Sequence, residues 1–157
     1  ADMVLGKSRL LPGFVAVVIL GGGLYLAFAL TRPPAAGRVD TQLVTGRQLC
    51  VAHCASCHGA NLEGQANWQT RRPDGKLPAP PHDATGHTWH HDDRTLFRIV
   101  KLGVGEMIGN QNYQSNMPVY GGQLSDAEIV TVLSYIKRQW PEAIRRKHDA
   151  LNAGNSR

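Results

Sequence analysis

Aromatic residues are scarce, at 6% of the 157-residue chain. That is lean for a core of about 100 residues, so some other bulky apolar group is needed to fill it. Charged residues are also few, at 18%, yet hydrophobic residues reach 42%, which excludes disorder throughout. Cysteine is limited to three, all within eight residues at Cys50, Cys54 and Cys57. A cluster that tight cannot staple distant parts of a fold, so a disulfide framework is excluded. No stretch alternates polar and apolar residues, and no sheet is expected. Acidic residues fall short of basic ones, 12 against 17, leaving a formal charge of +5. The excess lies at the ends: +2 over residues 1–40, +1 over 41–140 and +2 over 141–157. A nucleic-acid-binding domain concentrates basic charge on its folded face, so nucleic acid is not expected as a partner. The length fits one globular domain.

What is present begins with an uncharged run over residues 10–31. As a helix it spans roughly 33 Å at ~1.5 Å per residue, long enough for a bilayer core. Arg32, Pro33 and Pro34 stop it. It exceeds the h-region of a cleaved signal peptide, so it reads as an uncleaved transmembrane signal anchor. Flanking charges do not orient it, with Lys7 and Arg9 before and Arg32 and Arg38 after. The expected organisation is a short N-terminus (1–9), the anchor (10–31), a linker (32–40), a folded domain (41–140) and a basic C-terminal extension (141–157).

Cys54-Ala55-Ser56-Cys57-His58 is C-x-x-C-H, the spacing that attaches a c-type haem. Two thiols three positions apart each add to one vinyl group of a haem edge. The following imidazole, His58, then reaches the iron. A zinc site needs a second Cys/His pair, and the only candidates lie among His82, His87, His90 and His91. A thioredoxin-like dithiol needs a βαβ pattern, which the chain lacks. For the opposite axial position the candidates are Met107 and Met117. Met117 precedes Pro118 in a polar loop just before the last helix of the domain, and a thioether on a Pro-braced loop is the economical choice. Haem carboxylates need donors, which makes Trp68, Arg71, Arg72, Trp89 and His90 candidate contacts. Cys50 has no following His and reads as a small buried hydrophobe.

Residues 41–140 resemble the class I c-type cytochromes. The resemblance rests on Gly46-x-x-x-Cys50-x-x-x-Cys54-x-x-Cys57-His58-Gly59, then Ala79-Pro80-Pro81, then Met117-Pro118, then Leu133-Ser134-Tyr135-Ile136-Lys137. Cys50 departs from it, standing where the family usually has an aromatic residue. The resemblance implies crossed first and last helices, with Gly46 facing Tyr135. It implies that the carbonyl of Pro80 or Pro81 accepts the Nδ1 proton of His58, which raises that ligand's basicity. It also implies haem attachment outside the cytoplasm. The expected location is thus the inner membrane, single-pass, with the N-terminus cytoplasmic and the haem domain periplasmic.

The helices are legible. Residues 41–53 lead into the motif behind Asp40 or Thr41 as N-cap. Asp92 or Asp93 caps a helix carrying Leu96, Ile99 and Val100 and ended by Gly103. Ser125-Asp126-Ala127-Glu128 is a capping box opening a helix with Ile129, Val132, Leu133, Ile136 and Trp140 on one stripe. The expected fold class is all-α: a transmembrane helix, then a class I cytochrome c domain around one covalently bound haem. In the tail, Ile144, His148 and Leu151 share a face beside Arg145, Arg146 and Lys147. This reads as a docking helix for a partner or anionic headgroups, with His53 and His148 at the surface.

The expected function is one-electron transfer through a haem c ligated by His58 and Met117, as a tethered carrier or as a haem subunit of a respiratory or photosynthetic complex, without enzymatic activity of its own. Expected partners are the lipid bilayer and a membrane redox complex: a quinol-oxidising complex, a terminal oxidase or a reaction centre. The alternatives are a haem enzyme or gas sensor with an open axial position, and a periplasmic metal-handling protein using the 82–91 loop.

Overall fold

The computed structural model describes residues 35–155, with side chains from residue 41. Contacts divide the chain into two units, Ala1–Arg38 and Val39–Arg157; the second holds every site considered below. Among the described residues the secondary structure is entirely helical. Helix α1 (Ala35–His53) runs into the one-turn α2 (Ala55–His58). A long irregular segment follows, broken only by a 3-10 turn at Thr88–His90. Then come α3 (Asp93–Leu102), α4 (Val104–Met107), α5 (Asp126–Gln139) and α6 (Glu142–Asn155).

Local chemistry explains the boundaries. Asp92 caps α3 by accepting the Thr95 N–H at 2.6 Å, and Gly103 at φ 90° ends it. Ser125 and Glu128 form both halves of the capping box on α5. Helix α1 starts at Ala35 rather than near Thr41, because nothing between Pro34 and His53 breaks it. Thr41 is therefore inside the helix, where its carbonyl accepts the Thr45 hydroxyl at 3.0 Å.

The apolar stripe of α5 builds the core. On one side Val132 and Ile136 meet Cys50, Leu62 and Trp140. On the other, Ile129 and Leu133 meet Leu96, Tyr120 and Leu124. Helix α3 packs on both α4 and α5. Helix α1 crosses α5 at Gly46, where a Cβ would lie 2.7 Å from both the Thr131 carbonyl and the Tyr135 Cβ. Any side chain there pushes the helices apart, so glycine sets their separation.

The expected membrane span at 10–31 lies outside the described residues. Among the described residues no helix is long and apolar enough to cross a membrane. The longest, α1, has 19 residues but carries Arg38, Asp40 and Arg47. The fold supported is an all-helical domain. The transmembrane part of the expected fold class, and the single-pass inner-membrane location with it, is not upheld.

The tail also differs from expectation. Helix α6 packs against the 3-10 turn of its own domain. His148 is fully buried, 0% exposed, rather than at the surface. Its Nε2–H donates to the His91 carbonyl at 3.0 Å, its Nδ1 accepts from Asn152 at 3.1 Å, and its ring meets Trp140 edge-on at 5.1 Å. Asn152 in turn accepts the Asp93 N–H at 2.8 Å, and Asn155 donates to Asp92 at 2.6 Å. The apolar face read from Ile144 and His148 is spent on the domain itself.

Candidate haem site

The turn of α2 carries the chemistry. Backbone bonds from Cys54 N to Cys50 O (2.8 Å), Cys57 N to Cys54 O (3.1 Å) and His58 N to Cys54 O (2.9 Å) hold the three side chains within little more than one turn. All three cysteines are free thiols. Cys50 is buried, 3% exposed, with Cys54 packed against its cluster, while Cys57 is exposed. Interaction with the Cys50 sulfur, and burial after it, push the Cys54 thiol up; the same interaction draws Cys50 down, against burial, which raises it.

His58 is 7% exposed. Its Nδ1 lies 2.8 Å from the Pro80 carbonyl. A carbonyl only accepts, so Nδ1 carries the proton and Nε2 is left with its lone pair for a metal. Burial pushes the His58 pKa down, and the Pro80 bond opposes that in part. Of the two prolines, Pro80 thus supplies the contact. Pro81 accepts instead from the Thr88 hydroxyl at 3.3 Å. Gly64, at φ 69°, makes this approach possible: a Cβ there would sit 2.4 Å from Pro81 N and 2.7 Å from the Pro80 carbonyl carbon.

The loop behind Pro80 is tied by further bonds. Gln65 N donates to Ala79 O at 2.9 Å, and Ala79 N to Gln65 Oε1 at 3.0 Å. His82 N donates to Leu62 O at 2.8 Å, and Trp140 Nε1 donates to His82 O at 2.7 Å. The His82 ring stacks on His58, with centroids 3.8 Å apart and planes 18° apart. Burial and the neighbouring His58 and His87 push His82 down to about 3, so it is neutral.

Met117 packs against the cluster of Leu96, Tyr120, Leu124, Ile129 and Leu133. Its N–H donates to the Ser115 hydroxyl at 3.0 Å. The adjacent Asn116 accepts from Lys76 Nζ at 2.8 Å, which joins the Met117 loop to the loop before Pro80. Met107 ends the short α4. Tyr120, which the sequence reading passed over, donates its hydroxyl to the His53 carbonyl at 2.6 Å and so clamps the Met117 loop to the end of α1.

The candidate carboxylate contacts separate. Arg72 donates to Gln65 at 3.0 Å and Arg71 to Gly75 O at 2.6 Å. Trp68 stacks on His87 at 5.2 Å, and the His90 ring lies 3.7 Å from that of Trp89. Trp89 Nε1 is a buried donor with no partner. Such an orphan costs free energy unless an acceptor reaches it, and a haem carboxylate is one.

No three His, Cys, Asp or Glu side chains converge on a metal site among the described residues. The rings of His82, His87 and His90 are taken up in contacts with His58, Trp68 and Trp89.

Two thiols and an imidazole on one turn, the imidazole's Nδ1 already engaged, together with a lean core and an orphan indole N–H, fit a covalently bound haem. An all-helical domain with that turn defines a c-type haem protein. A comparison with protein-family models matches residues 43–140 to Cytochrome c. No curated protein and no solved structure matches the chain. The match covers more than half of the sequence, and the chain belongs to the cytochrome c family. It carries covalently bound haem c, and its role is haem-based electron transfer.

Proposed function

We propose that this chain is a class I cytochrome that carries single electrons, with haem attached through Cys54 and Cys57 and the iron held between His58 and Met117. The observation that carries the reading is the buried His58, directly after two free thiols, with Nδ1 on the Pro80 carbonyl. When bound, the haem supplies a one-electron couple. The residues do the rest. Pro80 fixes the tautomer and heading of His58 and raises its basicity. Met117 would hold the iron opposite His58 with a soft thioether, a ligand that would favour the reduced state and compete with any added ligand. Trp89 Nε1, buried without a partner, would donate to a haem carboxylate and so be relieved of its burial cost. Cys57 is exposed, so one edge of the anchoring turn faces solvent, where a redox partner can reach it.

The donor and acceptor are other redox proteins; the family resemblance suggests a quinol-oxidising complex, a terminal oxidase or a reaction centre. Potentiometric titration of the haem-loaded full chain tests the carrier role. A single reversible one-electron wave, with no binding of carbon monoxide to the reduced protein, is the expected result. Ready ligand binding would instead support a haem enzyme or gas sensor.

A further inference from the structure

We infer that His82 is a positioning residue for His58: by stacking on the face of that imidazole it fixes the plane in which the ring is presented to the iron. The inference rests on the reading of His58 as the haem ligand.

The Pro80 bond alone does not set the plane. Carbonyl oxygens accept over a broad range of directions, so one hydrogen bond at Nδ1 lets the ring tilt at little cost. A flat group against the ring face removes that freedom. His82 provides it, at 3.8 Å between centroids and 18° between planes.

A positioning group must itself be fixed, and His82 is held at three points. Its N–H is on the Leu62 carbonyl at 2.8 Å. Its carbonyl accepts from Trp140 Nε1 at 2.7 Å. Its ring Nδ1 lies 2.8 Å from the Thr88 hydroxyl oxygen. Thr88 gives its own proton to the Pro81 carbonyl at 3.3 Å, so its oxygen is left to accept and His82 Nδ1 donates. Thr88 is itself buried, 6% exposed, which shields both bonds from water. Gly86 leaves space for this arrangement, since a Cβ there would come within 2.0 Å of the Pro81 carbonyl oxygen. The segment from Pro80 to Thr88 thus delivers two contacts to one imidazole: an in-plane bond from Pro80 and a face contact from His82. Ligand orientation and basicity are set by such outer contacts, and they tune the metal.

The test uses the haem-loaded full-length protein and compares His82→Leu, His82→Phe and Thr88→Val. The readouts are the haem-methyl proton shift pattern of the oxidised form, which follows the plane of the axial imidazole, and the midpoint potential. His82→Leu is expected to change both. His82→Phe keeps a flat face and is expected to stay close to the wild-type pattern. Thr88→Val unpins the ring without removing it and is expected to give a smaller change in the same direction. A wild-type pattern in His82→Leu overturns the inference. So does an equal change in His82→Leu and His82→Phe. Should His82→Leu fail to fold, an unchanged pattern in Thr88→Val also overturns it. Absence of His58 ligation in the wild-type protein would remove the site reading itself, and it shows in the same spectra before any variant is made.

Discussion

A Met117→Ala variant is expected to bind carbon monoxide in the reduced state and to lose potential on the order of 0.1 V, within the range of about 0.8 V that axial ligands span. A neutral, polarisable thioether stabilises the reduced iron; removing it leaves that position to water or to an added ligand. The loop that carries Met117 is fixed by its surroundings. It packs on the cluster of Leu96, Tyr120 and Leu124. Its loop is fastened at Asn116 by Lys76 and at Tyr120 by the His53 carbonyl. A Met117→Leu control keeps most of the packing volume, so it separates loss of ligation from loss of fold. Both variants should open the position, while Met107→Leu should not. If Met117→Leu left potential and ligand exclusion unchanged, the second axial group would lie elsewhere.

Trp140→Ala is expected to cost about 3–5 kcal/mol, the usual range for removing a buried tryptophan. For a domain with about 5–15 kcal/mol in total, that lowers Tm by roughly 10–20 °C. Trp140 is 2% exposed and packs with Cys50, Leu62, Val132 and Ile136. It also joins three parts of the fold. It follows α5, its ring meets the buried His148 of α6, and its Nε1–H holds the His82 carbonyl. The loss should therefore exceed the cavity term and spread to the loop that presents Pro80. Trp140→Phe keeps most of the apolar contact but drops the hydrogen bond, and about 1–2 kcal/mol is expected from it. Thermal unfolding of the haem-loaded protein reads both. An Ala variant within 1 °C or so of wild type would contradict this account of the core.

Much of the site is legible because its signals are short-range. C-x-x-C-H requires one turn of helix, and the structure supplies one. The Asp92 and Ser125 caps involve neighbours three residues away, so spacing alone reveals them. The stripe on α5 follows helical periodicity, and those residues form the core. Residues 59–91 are different. They have no period, so nothing along the chain says which group meets which. Along the chain His82 is one member of a histidine-rich stretch, while in the fold it faces His58. The same gap hid the partner of α6: the face carrying His148 was legible, but the His91 carbonyl it meets lies 57 residues away. Donor chemistry singles out Arg72 and Trp68 along the chain, but their contacts with Gln65 and His87 depend on how this segment folds back and have no local signal. The start of α1 is not legible locally, because a good N-cap residue at Thr41 does not end a helix already running from Ala35.

Covalent attachment is the claim on which the rest depends, and the intact mass of the full-length protein after complete unfolding measures it most directly. The chain should be produced alongside a c-type haem-attachment system. The expected mass is that of the polypeptide plus one haem, and a Cys54→Ser, Cys57→Ser double variant should return the bare polypeptide. A bare mass for the wild-type chain, or a retained haem in the double variant, would contradict the assignment of these two thiols.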